Sequence, residues 1–397
     1  MTRKVGRRGL AVAAVAAVVA VGGGVAYATG IVPPAATGST VVACVQKENG
    51  SVRIVSSAAL CHPVETAVTL ATPPHPTVET VNCGTGQVLQ QAINAADPTQ
   101  PLTITILGTC AETVSISRDH VTLTSGSAGS GINGGLDVGG GRWVNLQGIK
   151  ISGSGANGFA IFAVDGALVN GQNNQIDGNV YAEQDTDLGF GSLTMDGCSH
   201  GLNAQWGSVI EVSGGSISGC TEEAVHAGSD SGIWLDGVTV SGSANPGVAV
   251  DGGSTVTLSD DVLSNDAGDG GPAINDDDGS VSVSNTSVSG SDIGLQVNDG
   301  GHADVNGTSV ISGNGIGIFV KGGSTVAVGG TVKNNSDDGI SLSDTSVATL
   351  DDPTVTGNTG WGVHCDASPS VAVIRGDSSD VSGNTGGNVD CANAGSG

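Results

Sequence analysis

From about residue 81 onward, short runs of alternating apolar and polar residues recur along the chain, each closed by Gly, Asn, Asp or Ser. Ile318 and Val320 alternate with Phe319 and Lys321. One unit later Ile340 and Leu342 alternate with Ser341 and Ser343, and one further on Val363 and Cys365 alternate with His364 and Asp366. A period of two is that of a strand with one face buried, so the first pair of each set is predicted inward and the second outward. The runs are joined by turns of the type xSGN. The small or polar residue of each turn forms the series Ser154, Asn179, Cys198, Cys220, Ser243, Asp266, Ser291, Asn314, Asn335, Asn358 and Asn384, at intervals of 19 to 26 residues. A near-constant period of this size marks a solenoid.

No helix-length segment separates the strands, which excludes a βαβ arrangement. Stacking each unit on the next pairs equivalent strands in parallel, about 4.8 Å apart. The predicted fold is therefore all-β, a single right-handed parallel β-helix of about 11 coils, counted from the eleven turn markers. The hexapeptide rhythm of a left-handed β-helix and a nonapeptide calcium repeat are both missing. Asn at the turns tolerates left-handed backbone and can hydrogen-bond the Asn above it. The open N-terminal end of such a rod needs cover. The segment GQVLQQAINAA (86–96) places Val88, Leu89, Ala92, Ile93 and Ala96 on one helical face and is expected to supply it.

Composition agrees. Glycine accounts for 67 of 397 residues, and with plentiful Ser, Asn, Thr and Val it disfavours helix, while 38% apolar residues in periodic order argue against disorder. The net charge is −26, and the four cations Arg3, Lys4, Arg7 and Arg8 crowd the N-terminus, so the rest of the chain stands near −30. Such a surface repels nucleic acid and anionic lipid, and it disfavours a polyuronate unless a cation bridges the two.

Residues 1–28 read as a signal peptide, with a basic start, the apolar run Leu10 to Val21 and the small-x-small site Ala26-Tyr27-Ala28. An uncleaved anchor over residues 9–28 is the alternative reading. With cleavage the mature protein is secreted and not membrane-embedded. Residues 41–70 form a small disulfide module, 71–80 a Pro-rich linker, and 81–397 the β-helix. Eight cysteines suit an oxidising destination. Their spacing points to four local disulfides, Cys44–Cys61, Cys83–Cys110, Cys198–Cys220 and Cys365–Cys391, the last two lying at matching places in successive coils.

With its capping segment, the following TITILGTCAETVSI (103–116) and the coil repeats, the chain resembles the pectin-lyase-like superfamily of right-handed β-helices over roughly residues 81–391. Residues 42–70, through Cys44, Gly50, Arg53, Ile54, Val55, Cys61 and Glu65, resemble a short module ahead of variable regions in exported actinobacterial and phage-tail-like proteins. The superfamily resemblance implies one of several roles: polysaccharide lyase, glycoside hydrolase, esterase, epimerase, adhesin or tailspike. Fold alone does not choose among them.

No complete catalytic motif of a pectate lyase, polygalacturonase or pectinesterase is present, and QDTDLGFG (184–191) merges into one coil what should span two. Two constellations break the repeat. The first is His200, Glu222, Glu223 and His226, with Asp185, Asp187, Trp206 and Trp234 close in the repeat register; His200, Glu223 and His226 are the candidate acid–base groups and Trp206 and Trp234 the candidate sugar-stacking rings. The second is the acidic run Asp251, Asp260, Asp261, Asp266, Asp269, Asp276, Asp277 and Asp278, in which Asp251, Asp276 and Asp277 are candidate calcium ligands because stacked carboxylates repel without a cation. Calcium is the one cofactor suggested. The expected partner is an extracellular polysaccharide or cell-surface glycan, either bound or bound and processed on the strand faces. The alternative is a non-catalytic surface, adhesion or phage-tail-like display protein.

Overall fold

A computed structural model describes residues 41–47, 51–55, 57–70, 76–155, 157–267, 270–366, 370–376, 379–391 and 395–396. Residues 1–28, expected to be a signal peptide, residues 71–75 of the linker and Asp269 lie outside the described residues. The chain divides into two units, Met1–Pro74 and His75–Gly397.

The first unit holds a three-stranded antiparallel sheet in the order Val52–Val55, Val41–Gln46, Glu65–Leu70. Cys44 is fully buried and bonded to Cys61. Arg53 grips Glu65 with two parallel bonds, Nε to Oε1 and Nη2 to Oε2, both 2.8 Å, and also donates to the Leu60 carbonyl. The guanidinium and the His62 N–H hold the Glu65 carboxyl down to about 2. The residues that stand out in this module therefore serve its own architecture.

The second unit is a parallel β-helix, as the repeat predicts. Thirteen strands, from Val114–Ile116 to Gly387–Asp390, stack into one parallel sheet, called here the narrow sheet. Each coil also feeds a twenty-five-stranded broad sheet. The rod has two more coils than the turn markers count. The extra ones carry Val114–Ile116 and Leu136–Val138, whose entering turns read CAET and NGG instead of SGN. The helix begins earlier too: Thr77–Asn82 pairs in parallel with Leu102–Leu107, so residues 77–80 are strand and not linker.

Alternation decides what is buried. Narrow-sheet strands such as Ile161–Ala163, Val180–Ala182 and Leu202–Ala204 bury their two ends and leave the middle residue part-exposed. The interior is a column of Val, Ile, Leu and Ala, each removing apolar surface worth roughly 25 cal/mol per Å² from water. Ile318, Val320, Ile340, Leu342 and Val363 are inward as expected. Ser341 and Ser343, expected outward and exposed, are buried. Ser341 lies in register between Phe319 and His364, side chains large enough to cover a small neighbour.

Polar residues line the corners. Where the broad sheet turns into the narrow one, Asn314, Asn335, Asn358 and Asn384 form a ladder. Each Oδ1 accepts the backbone N–H of the residue one coil earlier, at 3.0–3.1 Å from Ser291, Asn314, Asn335 and Asn358 in turn. The Nδ2 groups of Asn314, Asn358 and Asn384 donate to the carbonyls of Val288, Val332 and Val355. Buried backbone groups that the tight turn would orphan are thus paired. Bonded Cys198 and Cys220 occupy the same column further back. The other two predicted pairs in this unit, Cys83–Cys110 and Cys365–Cys391, are bonded as well.

At the N-terminal end a helix spans Leu89–Ala95 and buries Leu89 and Ile93, while Val88, expected on its apolar face, is exposed. Glu112 accepts the N–H groups of Leu89 and Gln90, pairing the helix's first donors. Buried Arg118 donates to the carbonyls of Ala96, Asp97 and Gln100 beyond its other end.

Candidate functional site

The outer face of the narrow sheet carries one side chain from the centre of each strand. Parallel register puts Phe162, Tyr181, Asn203 and His226 in a single column on four successive coils, with Asp137 one coil before them. At about 4.8 Å per coil the four span roughly 14 Å along the rod.

Phe159, from the turn before Ile161–Ala163, folds over the head of this column. Its ring stacks on Tyr181 with centroids 4.7 Å apart and on Phe162 at 5.6 Å, and Phe162 lies 5.8 Å from Tyr181, with the planes within 13–21° of parallel. All three rings are part-exposed. In a chain with four Phe, two Tyr and four Trp, three stacked rings on one face are a marked concentration. Burial and the neighbouring Glu183 push the Tyr181 hydroxyl above its ordinary range. Burial likewise raises Asp137, whose Oδ1 is buried with no hydrogen-bond partner among the described residues.

The two histidine–carboxylate pairs lie on the next coils. His200 Nδ1 meets Glu223 Oε2 at 2.9 Å, the two residues occupying equivalent turns ahead of Leu202–Ala204 and Val225–Ala227. His226 is held from both sides. A carboxylate can only accept, so Nε2 donates to Asp251 Oδ2 at 2.9 Å, and Nδ1 accepts from Asn203 Nδ2 at 3.4 Å. Gln205 in turn donates to Asn203 Oδ1 at 3.1 Å and orients that amide. The arrangement can accept and donate hydrogen bonds to hydroxyls, and an imidazole backed by a carboxylate can move a proton.

The tryptophans stand apart from this column. Trp206 sits in the corner after Leu202–Ala204, in left-handed backbone (φ 49°), and is 54% exposed. Trp234 faces outward from the broad sheet, in register between Glu211 and Thr257, its ring over Gly232, where a Cβ would meet it at 2.9 Å. The expected meeting of histidines and tryptophans on one surface thus divides between the narrow sheet, the corner and the broad sheet.

The acidic run divides too. Asp251 and Asp277 are register partners on the outer side. Asp276 is fully buried and occupies the inward place that Val250 and Val297 take on adjoining coils. Consecutive strand residues face opposite ways, so Asp276 does not join Asp251 and Asp277 around one ion as expected for a calcium site. Asp261 and Asp266 are buried as well. Asp261 accepts the N–H groups of Val238 (2.6 Å) and Ser259 (2.9 Å), and Asp266 occupies the ladder column and accepts the N–H of Ser243 at 3.0 Å. Burial outweighs these bonds and pushes Asp261 and Asp266 to about 6 and Asp276 to about 7. Asp277 is raised by burial and by the nearby charges of Asp299, Asp251 and Asp278.

Sequence reasoning had not singled out Phe159, Phe162, Tyr181 or Asp137. The signal was present: residues 137, 162, 181, 203 and 226 are spaced 25, 19, 22 and 23 apart, the intervals of the turn series from 154 to 243.

Residues 223–385 match the family model described as the right handed beta helix region. No curated protein matches the chain. Among solved structures it is similar to the A-module of AlgE4, a mannuronan C-5 epimerase of Azotobacter vinelandii, with TM-score 0.49 and 12% identity over 78% of this chain and 95% of that one. The A-module of AlgE6, a mannuronan C-5 epimerase of the same organism, gives 0.43 and 14% over 79% and 97%. The receptor-binding protein of bacteriophage Det7, a podoviral tailspike in a myovirus, gives 0.34 and 13% over 78% and 76%. At these identities no residue role passes from one chain to another. The stacked parallel coils and the match over residues 223–385 together make this chain a right-handed parallel β-helix protein.

Proposed function

We propose that this is an extracellular protein that binds an extended polysaccharide along the outer face of the narrow sheet. The observation that carries the reading is the column Phe162, Tyr181, Asn203 and His226, in which an aromatic platform runs into a row of hydrogen-bonding side chains. Sugar rings have apolar faces and polar rims, and binding sites for such molecules combine aromatic surface with a few placed polar groups. A flat strip with one side chain per coil suits a polymer lying along the rod. Four disulfides support the extracellular setting, and no described helix is long and apolar enough to cross a membrane.

Processing of the bound glycan is a second reading, favoured by His226 held between Asn203 and Asp251. A polysaccharide-array and degradation screen of the full chain tests both. Retention on a glycan without released product is expected for a binder, and product lost in His226→Ala selects an enzyme. Absence of retention on every polysaccharide would remove the proposal in favour of a display role.

A further inference from the structure

The residues around the column are one-sided in charge. Residues 151–230, which carry Phe162, Tyr181, Asn203 and His226, contain ten aspartates and glutamates and no lysine or arginine, while Arg142 follows Asp137 by five residues. Asp137 heads the column in register with Phe162, and Glu183 lies beside the Tyr181 hydroxyl. Further along, Glu223 and Asp251 flank the two imidazoles, each engaged with one of them. The Oδ1 of Asp137, buried with no hydrogen-bond partner among the described residues, lies toward Gly155 of the next coil.

Each class of glycan meets this strip differently. A polyuronate would bring carboxylates against carboxylates along residues 151–230, which hold no lysine or arginine. A neutral polymer could stack on Phe162 and Tyr181 and donate hydroxyls to the carboxylates, but it brings no positive charge to complement theirs. A sugar bearing a protonated amine could stack its ring, place its ammonium against the aromatic faces and donate charge-assisted bonds to Asp137 and Glu183.

Resting on the glycan-binding reading above, we infer that the strip takes a polysaccharide with free amino groups, a glucosamine-type polymer, seated on Phe162 and Tyr181 with its ammonium groups toward Asp137 and Glu183. Charge complementarity selects this occupant for an otherwise unpartnered sheet face.

Calorimetric titration of the full chain with hexamers of glucosamine, N-acetylglucosamine and galacturonate tests it. The glucosamine hexamer should bind on the order of tenfold or more tighter than its N-acetylated counterpart, and lose that advantage at high salt. Tyr181→Ala should weaken binding about tenfold. Glu183→Gln, a conservative change at a part-exposed corner, should abolish much of the preference while leaving the melting curve in place, and so remains informative if Tyr181→Ala folds poorly. Equal or tighter binding of the N-acetylated or uronate hexamer, weakened by Tyr181→Ala, would overturn the amino-sugar assignment and leave the glycan-binding face standing. Preference for the glucosamine hexamer that neither variant alters would overturn the location. Failure of all three hexamers to bind would overturn this inference and, with an empty array screen, the reading beneath it.

Discussion

Two stretches of the same corner column solve one problem with different chemistry. From Asn314 to Asn384 the column is built of amides, each accepting a backbone N–H from the previous coil and, at Asn314, Asn358 and Asn384, donating to a valine carbonyl. In the coil around residues 255–279 the column holds Asp266, and the same coil buries Asp261 at another corner and Asp276 in the apolar column itself. An amide carries both donor and acceptor and no charge. A carboxylate does the accepting half of the work and must either stay protonated or leave a charge in the core. The coil with Asp261, Asp266 and Asp276 therefore holds its buried carboxyls best at low pH, whereas the amide stretch is indifferent to pH.

The largest effect should come from breaking the amide stretch. Asn358 accepts from Asn335 N–H and Nδ2 and donates to Val332 and Asn384. Asn358→Ala removes these bonds, strands a buried N–H and leaves a cavity, for a loss of about 3–5 kcal/mol. Chemical denaturation followed by circular dichroism checks it, and a loss below about 1 kcal/mol would show that the ladder is ornamental.

Next comes Asp276. Its carboxyl titrates near 7 in the folded chain and near 4 in the unfolded one, so between these values the folded chain holds more protons. Stability is therefore fully present below about pH 4 and falls as pH rises towards 7, a trend that Asp261 and Asp266 reinforce up to about 6. The charges that act on Asp276 are those of His302 and Asp277, and on Asp261 those of Asp236 and Asp260. Asp276→Val copies the residues above and below it, Val297 and Val250. It should raise stability at pH 8 by a few kcal/mol, change it little at pH 4, and flatten the melting temperature's fall between them. A variant less stable than the parent at pH 8 would mean that the carboxylate has a stabilising partner in solution.

Much of this was legible in the sequence, and the failures have physical causes. Coil period, strand parity, the Asn ladder and the pairs Cys198–Cys220 and Cys365–Cys391 follow from spacing, because a solenoid stacks equivalent residues, whereas Cys44–Cys61 and Cys83–Cys110 follow from nearness along the chain. The two N-terminal coils escaped because their turns lack the SGN phrase that served as ruler. Asp276 was grouped with Asp277 by adjacency along the chain, although alternation across Ile274–Asp277 turns neighbours to opposite faces. The aromatic cluster was hidden because Phe159 lies in a turn outside the register, and only stacking brings it to Tyr181. Trp206 and Trp234 attracted attention by residue type, yet the corner between them carries them onto different surfaces.

The smallest effect sharpens the comparison most directly. Asp266→Asn makes the carboxyl-bearing coil match the amide stretch at a single column position. The new Oδ1 keeps the Ser243 N–H. The new Nδ2 can reach for the Val240 carbonyl, which stands three residues before Ser243 as Val288 stands before Ser291, the carbonyl to which Asn314 donates. Below about pH 4 the aspartic acid is protonated folded or unfolded, so the variant should differ only by the added donor bond, about 0.5–1 kcal/mol. Above pH 6 the parent must also carry the buried charge, so the gain should grow by a further 1–2 kcal/mol or so. Melting curves of the two chains at pH 4 and pH 8 read the difference of differences. A gain equal at both pH values would mean that Asp266 is not the titrating member of its coil, and the contrast would then rest on Asp261 and Asp276 alone.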